Sequence, residues 1–567
     1  MKFFHPVKRY IAVFITFILG VNNGINAQPD IPKHEVRAVW LTTIGGLDWP
    51  HSYAQSERSA ATQKRELCDI LDRLKAANIN TVLLQTRIRG TVIYPSAYEP
   101  WDGCLSGTPG VAPGYDALKF AIDECHKRGM ELHAWVVTIP VGKWTKEGCG
   151  KLRARHPSMI KKIGDEGYMN PENKETGAYL AKICREITAN YDIDGIHLDY
   201  IRYPETWPGR LNRVLGRHNI TKIVEQINSA VKTVKPWVKM SCSPVGKYDD
   251  LTRYSSHGWN ARTKVCQDAQ AWLRDGLMDE LFPMMYFRGD QFYPFALDWK
   301  ENSYGRIISI GLGIYFMSPK EKNWDIDVIT RQMNVTRSQG MGHTFFRSKF
   351  FTDNLKGLYG ITKDRIDSHP ALVPAMTWQS AARPVAPSLL TLKTASGGDR
   401  LSWAGAKDMS DGPYLLYNIY ASAEYPVNTG DARNLIATRY EDSTIVIPRK
   451  KGSAPLHYAV TATDRYGNES DPACTPSAEK QDFKSCLPLL ANDGSTLHIP
   501  GKGNVLDAGF LMIETLQGNI IATRTYRANT TDISDIPEGM YILKSLGRKG
   551  VAHRMGHFII RRQQKQR

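Results

Sequence analysis

Asp199 closes the run Asp194-Gly195-Ile196-His197-Leu198-Asp199, and Tyr200 and Arg202 add a ring and a cation to the same short stretch. Side chains alternate along a strand, so His197 and Asp199 face one side and Ile196 and Leu198 the other, with His197 one layer deeper. Asp194 stands at the opposite end of the run and reads as a turn or cap residue. Four other segments end in residues of the same kinds: Gln85-Thr86-Arg87, His133-Ala134-Trp135, Pro283-Met284-Met285-Tyr286 and Gly313-Ile314-Tyr315. A carboxyl group can move a proton or stabilise a cationic centre. Flat rings stack on sugars, and Arg or His binds hydroxyls or acidic substituents. Asp199 is the candidate catalytic residue, with Arg87, His133, Trp135, His197, Tyr200, Arg202, Tyr286 and Tyr315 as candidate substrate contacts. A plainer reading makes Asp199 a structural carboxylate paired with Arg202 or Arg87, and His133 and His197 hydrogen-bonded interior histidines.

Glycosidic cleavage ordinarily uses two carboxyl groups, about 5–5.5 Å apart for retention and about 6.5–9.5 Å apart for inversion. Asp249, Asp250 and Asp290 are the candidates for the second, with Glu99, Asp102 and Glu205 behind them. Each also reads as an ordinary loop carboxylate. No nucleophilic serine motif, phosphate loop or dinucleotide fingerprint occurs. No cofactor is expected and no metal site is assigned, although His133, His197 and Asp199 could form one if they converge.

The elements that must position these residues follow from periodicity. Eight apolar runs read as strands: Val36–Thr42, Thr81–Thr86, Leu132–Thr138, Gly195–Tyr200, Val238–Ser243, Leu281–Tyr286, Ile307–Tyr315 and His343–Arg347. Amphipathic helices lie between them at Gln63–Ala77, Tyr115–Arg128, Gly177–Tyr191 and Ile220–Val234. Eight such units over about 340 residues predict a (β/α)8 TIM barrel at 33–380, with long insertions at 88–114 and 139–176. Its active site would lie at the C-terminal strand ends, where the candidate residues are. The boundary falls after Trp378, where few contacts are expected to cross, so the barrel should fold alone. All-β sandwich domains follow. One at 384–478 has strands at Arg400–Trp403, Leu416–Ala421, Ser443–Ile447 and His457–Thr463, and a β-rich region at 482–567 includes Val505, Ile513 and Ile520–Thr525.

The chain has 567 residues, 42% of them hydrophobic and 23% charged, an ordinary globular composition. Lys and Arg exceed Asp and Glu by 73 to 57, an excess that suits anionic partners but is spread along the chain. A basic surface is the simpler reading, and no nucleic acid is expected. Lys2, Lys8 and Arg9 precede the apolar run Ile11–Val21, and small and polar residues lead to Ala27. This is the layout of a signal peptide covering residues 1–27, too short to span a bilayer. No later membrane span is expected, and the mature protein is read as exported to the periplasm or cell surface. The nine cysteines have wide spacing and no CxxC. Most are expected to be buried thiols, with Cys104–Cys149 or Cys474–Cys486 as possible bridges.

The segments Glu35–Leu41, Asn80–Arg87, His133–Trp135, Met169–Pro171, Asp194–Pro204 and Val373–Trp378 resemble the glycosyl-hydrolase-like family 10 barrel over about 35–378. The resemblance implies a TIM barrel with glycosidase-like activity on a polysaccharide, in some members cell-wall glycan freed of its peptides. Many members carry two adjacent aspartates where this chain has Asp199-Tyr200, so a non-catalytic glycan-binding or adhesion protein on a degenerate barrel is the alternative. The run Tyr458–Asp464, with Trp403 and Tyr420, resembles a fibronectin type III module. Asp535–Tyr541 resembles the end of C-terminal sorting domains of exported bacterial proteins.

Overall fold

A computed structural model describes residues 31–395, 398–449, 454–475, 490–499, 508–515, 519–525, 529–547 and 552–562. The leader segment, Cys486 and Val505 lie outside the described residues. Eight parallel strands close into a barrel: β1 (Arg37–Leu41), β2 (Thr81–Arg87), β3 (Glu131–Val137), β4 (Gly195–Asp199), β5 (Lys239–Cys242), β6 (Glu280–Leu281), β7 (Ile307–Leu312) and β8 (Gly342–Phe345). Each pairs with the next, and β8 closes on β1. Strand β6 is shorter than its apolar run because Pro283 has no N–H to donate to the ladder.

The helices facing the barrel include α1 (Glu57–Ala76), α2 (Ala117–Lys127), α3 (Lys174–Asn190) and α4 (Arg213–Lys232). Each starts at a side-chain cap, Ser56, Asp116, Asn173 and Asn212 respectively, that accepts from a first-turn N–H. Helix α1 begins six residues before its expected start at Gln63, because Ser56 and Ser59 form a capping box ahead of the amphipathic part. Leu67, Leu71 and Leu74 of α1 pack with Val39, Val82 and Leu132 in the layer between strands and helices. A second cluster fills the barrel itself, with Ala38, Trp40, Leu83, Trp135 and Phe282. The 139–176 insertion folds at the mouth as a three-stranded antiparallel flap of Pro140–Lys143, Glu166–Met169 and Ile160–Ile163, with the helix Glu147–Arg155.

Downstream, Ser388–Ala395, Gly398–Ala404 and Thr444–Pro448 form one antiparallel sheet. Leu435–Tyr440, Leu416–Ser422, His457–Thr463 and Ala473–Cys474 form another, and Leu401, Trp403, Ile419 and Val460 pack in their shared core. A separate core holds the last β-rich region, where Leu511, Ile513, Leu543 and Phe558 meet. Among the described residues no helix is long and apolar enough to cross a membrane.

Many contacts cross after Trp378, contrary to the expectation for that boundary. Arg439 and Arg465 of the sandwich enter the N-terminal face of the barrel. Arg439 donates to Glu131 at 3.2 Å and to Asp194, and Arg465 donates to Asp194 at 3.2 Å and pairs with Asp192 at 3.0 Å. His126 Nε2 lies 2.8 Å from Asp194, and Leu132 N–H donates to the same carboxylate at 2.9 Å. Trp378 Nε1–H donates to Asp279 at 2.8 Å. The sequence offers no sign of these pairs, because arginines hundreds of residues downstream supply the cations. Cys104 and Cys149 are buried free thiols, so the bridge considered between them does not form. Cys474 is also a free thiol in the described structure, and its candidate partner is not among the described residues.

Candidate active site

Asp199 ends β4 at the barrel mouth, buried to 7% exposure, inside the ring of strands. The pairing Leu198↔Cys242 sets Ser243, the next residue along β5, level with Asp199. Ser243 Oγ–H donates to Asp199 Oδ1 at 2.9 Å, Tyr200 N–H to the same oxygen at 2.8 Å, and Trp135 Nε1–H to Oδ2 at 3.1 Å. Burial pushes the Asp199 carboxyl up from its ordinary value. The Arg202 charge and the three donors oppose this without cancelling it. Oδ1 accepts two hydrogen bonds and Oδ2 one, which leaves Oδ2 the freer oxygen to hold a proton.

Tyr200 has φ 52°, a left-handed conformation uncommon for a residue with a side chain, and its ring is 40% exposed. The Arg202 guanidinium sits 4.2 Å from that ring centre, and its Nη2 donates to Glu205 at 3.1 Å. Arg202 is buried, and its Nε and Nη1 find no acceptor among the described residues. Across the mouth, Tyr286 and Tyr315 meet edge-on at 5.9 Å, and Phe346 lies 5.6 Å from Tyr286. Burial drives the Tyr286 hydroxyl well above its usual value, with Tyr315, Asp199 and Tyr200 adding to the shift, and its buried Oη has no partner among the described residues. Asp199, Tyr200, Arg202, Tyr286 and Tyr315 therefore share one end of the barrel, as their strand-end positions imply.

The other expected contacts sit lower or elsewhere. Trp135 faces the interior, as alternation requires, and at 4% exposure it supports Asp199 from below. His197 and His133 are fully buried beneath it. Trp40 Nε1–H donates to His197 Nε2 at 3.2 Å, so a neutral His197 carries its proton on Nδ1 and donates to Ser241 Oγ at 3.0 Å. Burial, then the neighbouring His133, hold the His197 pKa well below its ordinary value. His133 Nε2 meets Glu131 at 3.2 Å, and a Cβ on Gly195 would stand 2.7 Å from the His133 ring, so only glycine fits there. Neither histidine reaches the mouth. Arg87 is also fully buried, donating to Glu99 at 2.8 and 2.7 Å and to Thr138 O at 2.8 Å. It ties two loops together and has no surface to offer a substrate. The bulge between Gln85 and Arg87 separates it from the alternation that places the others.

The candidate second carboxylates do not join Asp199's hydrogen bonds. Asp249 pairs with Arg262 at 2.9 Å, Asp250 accepts from Ser256 N–H in an exposed loop, and Asp290 is exposed in a single turn. Glu99 is taken by Arg87, and Asp102 caps a short helix. Glu205 comes nearest functionally, because its partner Arg202 acts on Asp199. Ser243 was missed by sequence reasoning, although it ends an apolar run at the height of Asp199. Glu35, His343 and Asp367 lie within metal-ligand reach of one another. Arg37 donates to Glu35 at 2.7 Å and Arg337 pairs with both carboxylates, so cations already fill that cluster.

The family model described as Glycosyl hydrolase-like 10 matches residues 35–214 and 213–315. Glycosyl hydrolase YngK of Bacillus subtilis is 29% identical over 505 residues, covering 82% of this chain and 97% of that protein. Glycosyl hydrolase DigH of Escherichia coli is 30% identical over 287 residues, covering 44% of this chain and 65% of that protein. The glycoside hydrolase domain of PgaB (BpsB) from Bordetella bronchiseptica aligns with a TM-score of 0.40 at 12% identity, over 58% of this chain and 98% of that one. The family match and the two relatives support membership of the glycosyl hydrolase-like 10 family and a glycosidase-type function.

Proposed function

We propose that the protein is an exported glycoside hydrolase that cuts a polysaccharide, with peptide-free cell-wall glycan as the first substrate to try. The observation that carries this reading is the Asp199 carboxyl: it stands at the barrel mouth, is raised by burial, and is aimed by Trp135, Ser243 and the Tyr200 amide. A carboxyl group that keeps its proton toward neutral pH can protonate a leaving glycosidic oxygen, and once ionised it can take a proton from water. Tyr200, Tyr286 and Tyr315 supply rings on which a sugar stacks, and Arg202 supplies charge beside the reacting carboxyl. Export rests on the leader-like first 27 residues, and the downstream sheets, with the pattern of a fibronectin type III-like module, serve as a rigid support.

The test is to incubate the full mature chain with glycan pools, peptide-free cell-wall strands among them, and assay new reducing ends. Their appearance with the wild type but not with Asp199→Asn supports the hydrolase. Tight binding to a glycan with no new ends from any pool would make the protein a glycan-binding module on an inactive barrel.

A further inference from the structure

Gln85 stands two residues beyond Leu83 on the inward face of β2, and Leu83 belongs to the cluster that fills the barrel. It lies opposite Trp135 of β3, whose indole donates to Asp199 on β4. Gln85 and Asp199 therefore flank Trp135 from the two strands beside it. The Gln85 carboxamide is held in one orientation. Its Oε1 accepts from Thr43 N–H at 3.0 Å and from Ile44 N–H at 2.9 Å, where the chain leaves β1. Thr43 Oγ1–H also donates to the Gln85 backbone oxygen at 2.7 Å. A flipped amide would set its NH2 group against two N–H donors, so the NH2 group is the end left free. Gln85 is 5% exposed, and its Nε2 donates to no acceptor among the described residues. Other donors at this level are spent or closed off. Trp135 Nε1–H and Ser243 Oγ–H serve Asp199, and the Tyr286 hydroxyl is sealed from solvent, which Gln85 Nε2 is not.

We infer that Gln85 is a substrate-binding residue whose Nε2–H2 group donates to an oxygen of the sugar lying against Asp199. This assignment rests on reading the mouth as a glycan site and adds to it a residue that orients the sugar. It requires neither an open ring face nor a charge on the glycan. Clamping the turn after β1 uses only the accepting Oε1, so the donating half of the amide has no structural task. Two backbone hydrogen bonds already fix the amide plane, and a donor fixed in advance gives up little freedom when a ligand arrives. From the far side of Trp135, Gln85 holds the sugar so that its reacting bond faces Oδ2, the freer oxygen of Asp199.

The experiment measures binding of peptide-free cell-wall strands to the full mature chain carrying Asp199→Asn, alone and combined with Gln85→Glu or Gln85→Met. High salt screens any charge that a variant adds. Gln85→Glu keeps an oxygen for the Thr43 and Ile44 N–H groups and removes the NH2 donor. Gln85→Met is uncharged and of similar length, and removes both. Each variant should weaken binding by roughly threefold to tenfold, the worth of one hydrogen bond. Gln85→Met, which also loses the clamp, should lower the thermal midpoint more than Gln85→Glu. Unchanged affinity in both variants overturns the proposal. Weakening confined to Gln85→Met overturns it by making Gln85 a loop clamp, and weakening confined to Gln85→Glu does so by making the effect one of the new charge. Reducing-end release by the chain with Asp199 intact reports separately on the hydrolase. Binding that depends on Gln85 without cleavage keeps the donor and rejects the enzyme, and cleavage with binding indifferent to Gln85 does the reverse. If the Asp199→Asn chain binds no strand at all, the glycan reading falls and the role of Gln85 falls with it.

Discussion

Asp194 and Asp199 flank and end one strand, five residues apart and both buried, yet their surroundings drive them in opposite directions. At Asp194 burial favours protonation, but Arg439, His126 and Arg465 overcome it and hold the carboxyl well below its ordinary value. At Asp199 burial wins, because a single cation, Arg202, faces it without a direct hydrogen bond and the remaining help comes from neutral donors. One end of the strand is a closed ion network that docks a second domain, and the other leaves a carboxyl raised above its ordinary value. Burial alone does not distinguish a structural carboxylate from a reactive one; the number of cations within reach does.

The largest expected effect lies at the mouth. Asp199→Asn keeps the side-chain shape and should lower turnover by roughly 10²–10⁴-fold, the usual worth of a positioned acid or base. Glycan affinity and thermal midpoint should change little. A lowered midpoint with turnover per folded molecule intact would make Asp199 structural and erase the contrast.

At the opposite end, Asp194→Asn strips the charge facing two buried arginines and should cost about 3–5 kcal/mol in denaturant unfolding, with turnover per folded molecule retained. The sign with pH follows from the depressed value. Asp194 contributes stability above the unfolded-state pKa, and that contribution is lost as pH falls through the folded one. The variant should therefore lose less stability on acidification than the wild type, and parallel acid curves would show that the network is electrostatically idle.

The fragment 33–380 removes Arg439 and Arg465 and leaves Glu131 and Asp194 with fewer cations. Its thermal midpoint should fall below that of the full mature chain. Equal midpoints would show that the sandwich merely rests on the barrel. The smallest effect expected is that of Ser243→Ala, which deletes one donor to the ionised form of Asp199 and should raise its pKa further. The high-pH limb of turnover should then move upward, and an unmoved limb would detach Ser243 from the acid.

The barrel was legible because its eight apolar runs and capped helices carry local signals, and the mouth because strand alternation places Asp199, Tyr286 and Tyr315 without tertiary knowledge. What failed depended on distant partners. Arg87 looked like a ligand-facing cation until the bulge and Glu99 enclosed it. Asp194 was read as a turn or cap residue, whereas it centres an ion network whose arginines come from a domain whose docking leaves no periodic trace. The early start of α1 escaped because its first turns carry no apolar stripe, only the Ser56 cap. Ser243 could have been found by extending the strand-end comparison to β5.

Asp199 holds its proton where an ordinary aspartate has lost it. Infrared titration of the carboxyl stretch, taken as the wild-type spectrum minus that of Asp199→Asn, isolates this group. One protonated carboxyl should persist above the ordinary aspartate range and ionise in step with the high-pH limb of turnover. A group already ionised at or below that range, or one whose titration leaves turnover unchanged, would contradict it.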